Sequence, residues 1–133
     1  SDKQIAAGIK ARQSQMQLYA FNLGTLGAMA KQETAYDATA ASSAADNLAA
    51  LASLSQAGYW LPGSDSDSVE GSRALPAIWT ADSKIGEEGK NFLDAVLAMQ
   101  SAAGTDLASL QGAMGAVGKS CGSCHKSYRK PKE

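Results

Sequence analysis

An all-α fold is predicted by three observations. Alternating stretches of β-branched and aromatic residues are missing, with valine only at 69, 96 and 117. Alanine, the best helix former, is spread through most of the chain. Apolar residues recur at intervals of three and four in four separate segments, which is the mark of a helix with one buried face. Two short connections and one long one join these segments. Short connections force sequential helices to be neighbours, so the expected architecture is an antiparallel four-helix bundle with one long loop between helices 2 and 3.

The first segment, Lys3 to Lys31, carries Ile5, Ile9, Arg12, Met16, Tyr19, Leu23 and Leu26 on one face. Gly24 and Gly27 lie inside it at a cost of about 1 kcal/mol each relative to alanine. A close approach of another helix would explain them, within the bundle or across a dimer interface. Asp37 is placed to cap a second helix that buries Leu48, Leu51 and Leu54 and ends near Gly58. From Gly58 to Pro76 the text turns irregular, with Pro62-Gly63, the polar run Ser64 to Ser68, and Gly71. A third helix is expected to begin between Ala81 and Ser83, capped by Asp82 or Ser83. It carries Ile85, Phe92, Val96 and Met99 and stops at Gly104. Thr105 or Asp106 opens the fourth, in which Leu107, Leu110, Met114, Val117, Cys121 and Cys124 share a stripe. Met29, Met99 and Met114 read as core residues.

With 133 residues the chain is expected to be a single domain over 1–133. Its 44% hydrophobic and 19% charged content argues against disorder. Twelve Lys plus Arg against thirteen Asp plus Glu give a formal charge of −1, which removes the basic excess that a nucleic-acid binder needs. No apolar run reaches the ~18 residues of a membrane span. Ser1-Asp2-Lys3 lacks the charged-then-apolar layout of a leader, so a mature soluble product is expected.

Chemistry concentrates in Cys121-Gly122-Ser123-Cys124-His125, which holds both cysteines and the only histidine. A thioredoxin-type dithiol works at a helix N-terminus after a strand, whereas this pair lies near the end of a long helical segment. A structural zinc site wants four Cys or His ligands, and the chain has three. Covalent haem attachment asks for two thiols that can form thioethers with the porphyrin vinyl groups and an imidazole on the same side. Positions i, i+3 and i+4 of a helix supply that arrangement. With no second histidine, the other axial position of a haem iron belongs to methionine or to nothing. No methionine follows the motif, which separates the chain from ordinary cytochromes c. Other motifs fail. Gly118-Lys119-Ser120 lacks the upstream glycine and strand of a phosphate loop, Asp65, Asp67 and Glu70 are out of register for a calcium loop, and no histidine remains for a hydrolytic triad.

Arg12-Gln13-Ser14, Pro76-Ala77-Ile78-Trp79 and Gly115-Ala116-Val117-Gly118, together with the run from Cys121 to Arg129, extend the signal across the chain. On these residues the sequence resembles cytochrome c′, the class II bacterial c-type cytochromes, over nearly its whole length. The resemblance implies one haem c attached through Cys121 and Cys124, with His125 as the proximal iron ligand. It also implies a periplasmic homodimer formed through the first two helices, a possible redox partner protein, and a five-coordinate high-spin iron that binds nitric oxide and carbon monoxide. The matching role is nitric oxide scavenging or transport by a redox-active iron rather than enzymatic turnover. Arg12 matches an arginine that bonds a haem propionate, and Arg129 matches one beside the proximal imidazole. Gln13, Trp60 and Trp79 are assigned to the cofactor's surroundings. Met16 stands where the family covers the open face of the iron. It either packs over the ring or binds the metal and makes a low-spin electron-transfer cytochrome.

Overall fold

The computed structural model describes residues 1–132. Four helices account for most of them: α1 Asp2–Ala30, α2 Ala38–Ala52, α3 Ile85–Ala102 and α4 Leu107–Tyr128. A 3-10 turn, Pro76–Trp79, precedes α3, and an isolated antiparallel bridge joins Ala74 to Arg129. Each helix packs on the next and α4 returns against α1, which closes the antiparallel four-helix bundle with its long loop between α2 and α3. No helix among the described residues is long and apolar enough to cross a membrane.

The helix starts follow local chemistry where a short polar side chain is available. The Ser1 hydroxyl accepts from the Gln4 N–H while the Gln4 amide oxygen accepts from the amino terminus, a reciprocal capping box. Asp37 accepts from the Ala40 N–H at 3.0 Å and Asp106 from the Ser109 N–H at 2.7 Å. Helix α3 departs from expectation. It begins at Ile85 with Lys84 in the cap position, one residue after Ser83, whose hydroxyl still accepts from the Ile85 N–H at 3.3 Å. Asp82 instead accepts from the Thr80 hydroxyl, and the Lys84 N–H donates to the Tyr128 hydroxyl at 2.6 Å, a partner 44 residues away.

Helix α2 is also shorter than the sequence suggests. It ends at Ala52, where the Ser53 hydroxyl folds back onto the Ala49 carbonyl, and Leu54 is left outside it with 44% exposure. Alanine does the packing in its place. Ala41, Ala44, Ala45 and Ala49 are buried with Leu48, and their small side chains let α1 and α3 come close. The core continues through Leu26 and Met29 of α1, Val96 and Met99 of α3, and Leu110 and Val117 of α4. Met114 only borders it, half-buried. Of the two glycines expected to admit a neighbour, Gly27 does so, since a Cβ there would meet the Met114 methyl at 3.8 Å. Gly24 faces open space. A backbone approach occurs at Gly8, where a Cβ would lie 2.5 Å from the Gly58 carbonyl oxygen, so the crossover loop touches α1 backbone to backbone.

Candidate functional site

Two contacts set the register between α1 and α4. Gly27 lies against Met114, and the Ala30 carbonyl accepts from the Gln111 side chain at 2.8 Å. In an antiparallel pair, a step back along one helix is a step forward along the other. Eleven residues before Gly27 is Met16, and eleven after Met114 is His125. Eleven residues are three turns and about 20°, roughly 16 Å of helix, so Met16 and His125 come to one level on facing stripes. By the same register Tyr19 lies at the level of Gly122, next to Cys121.

This end of the bundle is filled differently from the other. Between Ile9 and Leu26 the buried residues of α1 are polar, namely Arg12, Gln15 and Asn22. Beyond Val117 the only buried residue of α4 is Ser120, while Cys121, Cys124 and His125 are half-buried. Tyr19 and Phe92 meet edge to face across the bundle at 4.9 Å. A pocket of about 420 Å³ opens beside the motif, lined by Gly122, His125, Lys126, Arg129 and Pro131.

Electrostatics favour neutral forms of the three motif side chains. Burial pushes the Cys124 thiol up to about 11, with the Glu88 carboxylate and Cys121 acting in the same direction. Burial also raises Cys121. A nucleophilic dithiol needs the thiolate, so the site opposes that use of Cys-x-x-Cys. Burial lowers the His125 pKa, and the Arg129 and Arg73 cations lower it further. A neutral imidazole keeps a lone pair for a metal. Two free thiols and one such imidazole, within a turn and a half of helix and beside an open pocket, fit a covalently held haem.

Arg12 is 4% exposed and has no carboxylate partner among the described residues. Its Nη1 donates to the Tyr59 carbonyl and the Ser64 hydroxyl, and its Nη2 to the Ser64 carbonyl and the Ser72 hydroxyl, at 2.7–3.0 Å. The guanidinium also lies 4.7 Å from the Trp60 ring centroid. Arg12 therefore pins the crossover loop to α1. Gln13 is exposed and donates to the Gly71 carbonyl. The Trp79 indole donates to the Trp60 carbonyl, which joins the two tryptophans on the loop side of the bundle. Arg129, on the pocket side, follows α4 and pairs through its backbone with Ala74. Met16 is 42% exposed.

Several residues of this end escape the sequence reading. Gln15 and Asn22 share the buried stripe of α1 with Arg12, and their polarity at helical spacing is the available signal. Ser64, Ser72, Gln56 and Arg73 come from the crossover loop and carry none.

Residues 7–129 match the family model described as Cytochrome C'. The chain belongs to the cytochrome c′ family. A cytochrome c-554 of Cereibacter sphaeroides is 49% identical over 127 residues, covering 96% of each chain. A solved cytochrome c′ from Rhodobacter spheriodes superimposes with a TM-score of 0.92 at 36% identity, covering 96% of this chain and 98% of the other. The nitric oxide complex of a point variant of the Alcaligenes xylosoxidans protein gives a TM-score of 0.82 at 31% identity, covering 96% and 97%. The chain is thus a haem cytochrome of the c type, with haem c attached through Cys121 and Cys124.

Proposed function

We propose that the chain, one haem domain over residues 1–133, is a periplasmic homodimeric carrier whose iron is held by His125. On the other side the iron stays open to nitric oxide and carbon monoxide, and the role is nitric oxide scavenging or transport rather than catalysis. When bound, the haem supplies a redox-active iron with a free coordination position. The observation that carries this reading is Met16 at the level of His125 with 42% of its surface exposed. A flexible thioether covers the site, excludes bulky and anionic ligands, and yields to a small neutral one. The nitric oxide complex of the Alcaligenes relative supports the same ligand class.

The chain's residues then divide the remaining work. Arg12 keeps its Nε for a propionate after both Nη atoms have bonded the loop, with Gln13 one residue on at the same edge. Trp60 and Trp79 wall the loop side. Arg129 sets charge beside the imidazole. Leu18, Phe21 and Leu54, at 50%, 71% and 44% exposure on the α1–α2 side, supply an apolar surface for the second copy, and open Gly24 lets it approach.

A second reading, a low-spin electron-transfer cytochrome with Met16 as sixth ligand and a redox partner protein, rests on the same placement of Met16 at the level of His125. Optical spectra of the ferric and ferrous holoprotein separate the two. High-spin bands and carbon monoxide uptake support the open site. A methionine-to-iron charge-transfer band that disappears in Met16→Leu supports the other.

A further inference from the structure

A chain of two amides, Gln56 at the surface and Gln15 buried, fixes the direction of one proton at this site. The Trp60 indole N–H can only donate, and it lies 2.8 Å from an amide atom of Gln56, which must therefore be Oε1. The Gln56 Nε2 then points the other way, to the Leu54 carbonyl at 3.2 Å and to Oε1 of Gln15 at 3.3 Å. That orients Gln15 in turn. Its Nε2 donates to the Leu51 carbonyl at 2.9 Å and to the Tyr19 hydroxyl oxygen at 2.8 Å. The Leu51 carbonyl, an acceptor with no proton of its own, demands the same Gln15 orientation independently. Both Gln15 amide hydrogens are then committed, and the Tyr19 oxygen accepts. Its own hydrogen is left to donate, and no acceptor for it exists among the described residues.

Tyr19 stands at the level of Gly122, next to Cys121 and one turn from Met16, with its ring held edge-on by Phe92. Burial raises its pKa, with Cys121 adding to the effect, so the phenol keeps its proton. An unpaired half-buried donor costs free energy unless something in the cleft receives it.

We propose that Tyr19 is the hydrogen-bond donor on the ligand side of this cleft, presenting its hydroxyl proton to the oxygen of a neutral diatomic held there. The inference rests on the open-site reading above. Gln15, Gln56 and Trp60 act as positioning residues that hold the phenol oxygen as an acceptor and so aim its proton. The donor draws electron density onto the ligand oxygen, which weakens the bond inside the ligand and slows its escape.

The test uses the ferrous holoprotein with carbon monoxide and reads the C–O stretching frequency by infrared absorption. In Tyr19→Phe the stretch moves to higher wavenumber, and carbon monoxide leaves several-fold faster. Transfer of the unaltered protein from H₂O to D₂O shifts the stretch, and this measurement holds even if the variant loads haem poorly. Gln15→Leu, which removes the N–H that occupies the Tyr19 oxygen, frees the phenol proton to turn and broadens the band or splits it. An unchanged stretch in Tyr19→Phe, or no solvent isotope shift in the unaltered protein, overturns the donor while leaving the open site intact. Failure of the unaltered protein to take up carbon monoxide overturns the open-site reading and the donor with it.

Discussion

Toward the C-terminal end of α1, the seam with α4 is closed by Met114 against Gly27 and by Gln111 on the Ala30 carbonyl. Toward Met16 and His125 the same two helices continue in register with no fully buried apolar side chain between them. One pair of helices thus makes a dry core at one end and a binding cleft at the other. The difference lies in side chains alone. At the closed end Leu26, Leu110 and Val117 fill the space to under 2% exposure, whereas at the open end the inward positions go to Arg12, Gln15, Cys121 and His125. Cytochrome c′ chemistry therefore needs only half of the bundle to be conventional.

The largest effect expected from breaking this contrast is at the open end. In the double variant Cys121→Ser, Cys124→Ser, covalent attachment is lost completely. Intact mass of natively produced protein drops from polypeptide plus haem to polypeptide alone, and any residual haem extracts into acidic solvent. At the closed end, Leu26→Ala leaves a cavity in a fully packed core. It costs about 2–5 kcal/mol in denaturant unfolding. Leu97→Ala, on the exposed face of α3, stays within about 0.5 kcal/mol and serves as the control.

Arg12 holds the crossover loop on the open end, and its substitution sharpens the comparison. Arg12→Leu removes four bonds to the loop and leaves the Tyr59 carbonyl unpaired, while the Ser64 carbonyl keeps the Ser72 hydroxyl as donor, and this costs about 1–3 kcal/mol. Proteolysis between Tyr59 and Ser72 should quicken before the bundle itself unfolds. A loop cut no faster than in the unaltered protein would remove Arg12 from the role of latch.

What the sequence exposes follows from how far each interaction reaches. The four helices, the Asp37 and Asp106 caps and the haem-binding pentapeptide depend on residues within one or two turns, and each is readable from spacing. The start of α3 is legible only in part, because the Ser83 hydroxyl takes the Ile85 N–H but the cap position falls to Lys84, whose own N–H is held by the distant Tyr128. The end of α2 is misread because leucine spacing runs on to Leu54, while the burial that sustains a helix rests on alanines and stops at Ala52. Arg12 stands out as a charge on an apolar face, but its partners lie 47 to 60 residues away. The orientation of Tyr19 depends on an amide chain spread over α1, the end of α2 and the loop, and no local pattern encodes it.

The smallest expected effect concerns the closed end and its dependence on pH. Asp106 caps α4, and bonds from the Ser109 side chain and then its backbone N–H hold the carboxyl below its ordinary pKa. A depressed folded pKa means that the unfolded chain binds its proton first on acidification. The cap's contribution is therefore complete above the ordinary carboxylate range and is lost as pH falls through the lowered folded value. Asp106→Asn keeps a good cap, since asparagine also accepts from the backbone, but it cannot titrate. Near neutral pH the two proteins should unfold at nearly the same denaturant concentration. On acidification the unaltered protein loses stability relative to the variant across that window, and the difference levels off once Asp106 is protonated in both states. Parallel pH profiles for the two proteins would mean that the Ser109 bonds do not hold the carboxylate in solution, and α4 would then owe its first turn to packing alone.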